Sequence, residues 1–129
     1  MVDLSEFNGL AQAQDEGIDV PILHPKTGEE LGITIKVAGP ESQRQKRMRN
    51  ALITDRMSRN RNRRVTAAEI EEDALKVSAA AIISLTGVME NGKAIEYSRD
   101  NAEDLLRRYS FIREQIDTAV SDRSVFIKS

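Results

Sequence analysis

One histidine and no cysteine limit the chemistry open to this chain. Without a thiol, disulfides, zinc ribbons, iron–sulfur clusters and cysteine nucleophiles are excluded. His24 stands next to Pro25, with no serine-nucleophile motif or carboxylate dyad near it, so it reads as a turn residue. Lys26-Thr27-Gly28 has the residue types of a phosphate loop in the wrong order. That loop needs a glycine ahead of the Lys-Ser/Thr pair and a helix after it, so that backbone N–H groups can cradle phosphate. Glu69, Glu71, Glu72 and Asp73 are a cluster of acids. Successive helix positions point in different directions, so these residues do not converge on one cation. They suit the positive end of a helix dipole instead. Nowhere do a nucleophile, a base and oxyanion donors come together in the sequence. The expectation is a non-enzyme with no catalytic, cofactor-binding or metal-ligating residues and no cofactor.

The sharpest feature is a basic block. Residues 43–64 carry nine bases against Asp55 alone, a net charge of +8. Residues 1–42 sum to −6 and residues 65–129 to −4, so the whole chain is only −2. Arg44, Arg47, Arg56, Arg59, Arg61, Arg63 and Arg64 are the candidate partner-binding residues. Arginine is favoured at protein interfaces, where its planar fork pairs with carboxylates. The same residues could neutralise phosphates, with steep salt dependence. No aromatic residue is interleaved for base stacking, and no helix-turn-helix is recognisable. A protein interface is therefore preferred. Nucleic acid and a merely solvated face are the alternatives. Blocks of opposite sign also suit head-to-tail self-association, +8 against −6 or −4, and a homo-oligomer is expected.

At 129 residues the chain is one ordinary domain. Residues 1–16 read as an arm or short helix, and 17–127 as a single α+β domain. Ile18, Val20 and Ile22 alternate with Asp19, Pro21 and Leu23, and Ile33, Ile35 and Val37 alternate with Thr34 and Lys36. This period of two around Lys26-Thr27-Gly28-Glu29 predicts a β-hairpin, with Pro21 placing its first strand at an edge. Pro40 and Glu41 then open an Arg-rich helix with a thin stripe of Met48, Leu52, Ile53 and Met57. Residues 58–65 have no apolar side and are expected to be a mobile loop or helix end. Thr66 and Glu69 form a capping box. The helix it opens is expected to run to Leu85, burying Ile70, Ala74, Val77, Ala81 and Leu85 on one face. Asn91-Gly92 is a tight-turn signal, Ser98 a helix cap, and Ser110 a break between two C-terminal helices. The predicted fold is α+β, mainly helical, an N-terminal β-hairpin followed by about four helices. Met48, Met57 and Met89 are read first as core fillers and second as adaptable residues of a promiscuous groove. The start MVDLSEFNGL lacks the basic and apolar regions of a secretory leader, and the longest apolar run, Ala79–Ile83, is far too short to span a bilayer. A soluble, intracellular protein with no membrane partner is expected.

The order of these pieces resembles the tail assembly chaperones of long-tailed bacteriophages. The resemblance is carried by the hairpin from Val20-Pro21-Ile22-Leu23-His24-Pro25-Lys26-Thr27-Gly28-Glu29 to Leu31–Ser42, and by the Arg-rich helix after it. It continues through Leu85-Thr86-Gly87, Asn91-Gly92-Lys93, Tyr97-Ser98, Leu105-Leu106 and Ile112–Ile116. Val88 stands where a Trp is expected. The resemblance implies a protein of the infected host cytoplasm, absent from the mature virion. Its partners would be the tape measure protein, which it would coat, and the tail tube protein. A head–tail joining or tail-completion virion protein, and a small nucleic-acid-binding protein using residues 44–64, are the competing readings.

Overall fold

The computed structural model describes residues 1–59 and 64–126. It is a mixed α/β structure, 55% helical, with a small antiparallel sheet. A 3-10 turn at Leu4–Phe7 leads into α1, Leu10–Glu16. The hairpin follows, with β1 at Ile18–Leu23 and β2 at Glu30–Val37. Next come α2 (Gln43–Arg59) and α3 (Ala67–Ala80). Strand β3 spans Ile82–Thr86, and a two-residue-per-strand hairpin pairs β4 (Met89–Glu90) with β5 (Lys93–Ala94). Helices α4 (Arg99–Arg108) and α5 (Ser110–Ser121) precede a final 3-10 turn.

The alternation in the hairpin does what a pleat requires. Val20, Ile22, Ile35 and Val37 turn inward and are buried, while Asp19, Pro21 and Leu23 face out. Gly28 takes φ +76° in the turn, and the His24 ring nitrogen Nδ1 accepts from the Lys26 and Thr27 N–H groups. His24 is thus an exposed turn residue. The sheet order β1-β2-β3 leaves β1 at the edge, as Pro21 requires. That edge is covered: Gln115 of α5 mimics a strand partner, its amide bonding both the N–H and the C=O of Leu23 at 2.8 Å.

Three expectations need correction. The hairpin does not open the fold, because α1 stands ahead of it, although four α-helices follow it as expected. The helix opened by Thr66 stops at Ala80, and residues 82–86 form the third strand on the free side of β2. Its β-branched Ile82 and Ile83 fit a pleat, and β2 offers them a row of unpaired backbone groups. The turn is anchored by Ala38 N–H donating to Ala81 C=O at 2.7 Å. The predicted core face of α3 is also displaced. Leu75 and Ala79 are buried there, whereas Ile70 and Ala74 are exposed. The expected mobility of residues 58–65 falls partly on 60–63, outside the described residues; Ser58 and Arg59 close α2.

Local signals held elsewhere. Thr66 and Glu69 make both bonds of the capping box, Ser98 Oγ accepts from Asn101 N–H at 3.0 Å, and Asn91 and Gly92 both take positive φ in their turn. The core gathers Ile22, Ile35, Val37 and Ile82 of the sheet with Leu75 and Ala79 of α3, and with Leu105, Leu106, Ile112 and Ile116 of α4 and α5.

Residues 10–16 are no loose arm. Gln14 is fully buried at the β2–α2 joint. Its backbone C=O accepts from Gly39 N–H, and its Oε1 accepts from Glu41 N–H at 2.6 Å. Asp15 accepts from Gln43 N–H at the start of α2, where a carboxylate also meets the positive end of the dipole. A Cβ on Gly39 would sit 2.5 Å from the Gln14 side chain, so glycine is needed for this close approach. We expect Gln14→Ala to lower unfolding stability by about 1 kcal/mol, the cost of leaving the partly buried Glu41 N–H without its acceptor, measured by urea denaturation. An unchanged midpoint would show that α1 does not hold the joint.

Candidate functional site

Helices α2 and α3 pack against each other as a two-helix limb, α3 also lying against α4 and α5, and α2 is unusual. Over its 17 residues only Gln45 is buried. A helix with so little apolar cover needs another hold on its neighbour. Arg56 supplies it. Its guanidinium makes two parallel bonds to Asp73, Nε to Oδ2 and Nη2 to Oδ1, both 2.9 Å, and a third to the Glu69 carboxylate. The fork geometry fixes the spacing as well as the attraction between the helices. The hydrogen bond from Arg56 holds the Asp73 carboxyl below its ordinary value of 3.8.

The other acids at the start of α3 are engaged as well. Glu72 bonds Arg107 of α4 at 2.5 Å, and Glu71 pairs with Arg113 of α5. The cluster thus ties three helices together. No grouping of His, Asp and Glu among the described residues could hold a metal ion.

Above the Arg56 clamp the limb is open. Arg49, Leu52, Ile53, Arg56 and Met57 of α2 face Val65 and the α3 residues Asp73, Ala74 and Val77 across a groove of about 380 Å³. Ile53 is 56% exposed, Met57 71% and Ile70 61%. Ile70 shares its helix face with Ala74 and Val77 at spacings of four and seven. The apolar stripes read from the sequence as core on both helices are therefore left partly uncovered, side by side. Such a patch with a charged rim marks a contact surface. Lys46 and Arg49 lie two turns and one turn before Ile53 on the same side of α2, and exposed Arg64 precedes Val65 at the other end.

The predicted partner-binding residues divide. Arg56 is taken up inside the limb. Arg44 and Arg47 are exposed on the side of α2 turned from α3, Arg44 reaching Tyr97 Oη at 3.5 Å. Arg59 is exposed and bonds Asp55 at 2.9 Å, a turn away. Arg64 is exposed and precedes Val65 of the groove wall. Arg61 and Arg63 lie outside the described residues. The block is not one continuous basic stripe. Sequence reasoning missed Ile53, Val65, Ile70, Ala74 and Val77 as site residues. Met57 was singled out, and its exposure favours the groove reading over core filling; Met89 is also exposed and Met48 half-buried.

A second polar cluster lies away from the groove. Glu90 of the short hairpin accepts from Arg108 at 2.5 Å and from the Tyr109 hydroxyl. These bonds lower the Glu90 carboxyl and raise the Tyr109 phenol from their usual ranges. The cluster fastens β4–β5 to the α4–α5 corner. No α-helix is long and apolar enough, among the described residues, to cross a membrane.

No family model, curated protein or solved structure matches the chain.

The clamp predicts an acid dependence. With the Asp73 carboxyl lowered in the folded state, its contribution is complete above the unfolded value near 3.8 and is lost as pH falls through the folded value. Asp73→Asn is expected to melt below wild type at pH 7, and the two melting temperatures to converge as pH falls below about 4. Melting curves taken from pH 7 to pH 2 check this; a gap that stays constant would remove the clamp from the structure's support.

Proposed function

We propose that this chain is a non-enzymatic phage tail assembly chaperone, acting in the host cytoplasm and absent from the finished virion. It works by binding. Its α2–α3 groove holds apolar stripes of the long helical tape measure protein, keeping them from aggregating while tail tube subunits gather. The observation that carries this reading is the uncovered apolar groove between α2 and α3. The order of motifs noted in the sequence adds the tail-assembly context. A groove lined partly by Met57 adapts to irregular apolar surfaces, as a client with many non-identical sites requires. Helix-in-groove docking needs apolar anchors at helical spacing on the partner, which a long helical protein presents repeatedly. The nucleic-acid reading draws less support, because the basic residues are divided between the clamp, the groove's flanks and the outer side of α2.

Co-expression with the longest helical protein of the same genome tests this. Wild type is expected to bring that protein into the soluble fraction and co-purify with it. Met57→Asp places a charge in the groove without disturbing a buried residue, and is expected to lower recovery by about tenfold or more. Equal recovery with wild type and variant would move the client elsewhere on the surface. An insoluble, unbound client with both would favour the joining-protein reading, in which the chain stays in purified particles.

A further inference from the structure

The N-terminal segment ahead of α1 carries apolar side chains with little to rest on. Val2 is 72% exposed and Leu4 78%, and the 3-10 turn at Leu4–Phe7 buries no residue. Phe7 lines a cleft with Glu6, Leu10 and Phe126 of its own molecule, while Val2 and Leu4 stay exposed. The segment is also acidic. Asp3 and Glu6 interleave with Val2, Leu4 and Phe7, and no Lys or Arg occurs before Lys26. The groove between α2 and α3 has basic neighbours: Arg49 lines it, Lys46 stands nearly a turn before Arg49 on α2, and Arg64 precedes Val65 of its wall, with apolar residues between. An apolar segment flanked by acids and an apolar groove flanked by bases are complementary in both respects.

We propose that the groove of one molecule receives residues Val2–Glu6 of a second copy. Leu4 and Val2 enter between Ile53, Met57 and Val77, and Asp3 and Glu6 face the bases flanking the groove. The two surfaces lie on different parts of the chain, so the contact is heterologous. Each molecule offers a segment to one neighbour and a groove to another, and assembly continues head to tail into rings or open chains. The segment is tethered through α1, which Gln14 and Asp15 pin to the start of α2, so every link in the assembly is set by the same joint. This inference rests on the groove being a docking site, as proposed above. It adds that the groove is filled by a neighbour before a client displaces it.

The test is complementation in sedimentation velocity at low salt. One variant lacks residues 2–8 and keeps its groove. The other carries Met57→Asp and keeps its N-terminal segment. Wild type is expected to form species that grow with concentration and shrink at high salt. Each variant alone is expected to be a monomer. Their mixture is expected to give a 1:1 heterodimer and nothing larger, because only one productive contact remains. Leu4→Asp, at an exposed position that the fold does not need, is expected to weaken wild-type association by about tenfold or more. Circular dichroism of each variant confirms folding, and Ile53→Asp replaces Met57→Asp if that chain is unfolded. A monomeric wild type at all concentrations, oligomers that survive loss of residues 2–8, or a mixture that stays monomeric overturns the inference. Client capture by a strictly monomeric chain overturns it while leaving the chaperone reading standing. Heterodimers without client capture do the reverse.

Discussion

The bond between Arg56 and the pair Glu69 and Asp73 is the constraint on which the rest of the molecule's surface depends. Helix α2 has too few apolar contacts to lie on α3 by burial alone, since only Gln45 is buried along it. A bidentate guanidinium–carboxylate pair holds two helices at a set distance without filling the space between them. That leaves Ile53 and Met57 uncovered opposite Ala74 and Val77. A polar clamp in an apolar seam therefore separates the holding of the limb from the work of its open face.

The same division recurs through the fold. The sheet and helices α4 and α5 carry the dense core, with Ile22, Ile35, Ile82, Leu105, Leu106 and Ile116 fully buried. Polar contacts attach the peripheral parts to it. Gln14 and Asp15 fix α1 and the start of α2, Gln115 covers the sheet edge, and Glu90 with Arg108 and Tyr109 fastens the short hairpin. The limb is thus anchored in the core through Leu75 and Ala79 of α3 while keeping an exposed apolar surface towards α2.

What could be read from the sequence was local. The β1–β2 alternation, the Thr66–Glu69 box, the Asn91-Gly92 turn and the Ser98 cap each involve residues within a few positions of one another, so their physics is complete in a short window. What failed depended on distant partners. Residues 82–86 continue the apolar run of α3 without a break, and only the free side of β2 makes them a strand. Gln14 and Asp15 look like ordinary polar residues until the β2–α2 joint is folded against them. The groove was hidden because spacing shows that Ile70 and Ala74 share a face but not whether anything covers it. The basic block was visible as a charge, yet its division between Arg56 inside the limb and Arg44, Arg47, Arg59 and Arg64 outside it needed the packing of α2 on α3.

Side-chain methyl NMR of the groove tests most directly whether the open face of the limb is a docking surface. The methyl groups of Ile53, Met57, Ile70 and Val77 report on it, and those of Ile22, Ile35 and Ile116 in the core serve as internal references. Docking at the α2–α3 face predicts that the first set shifts as protein concentration rises, and again when client is added, while the second set stays in place. Groove methyls that do not move under either condition, or shifts confined to other surfaces, would contradict it.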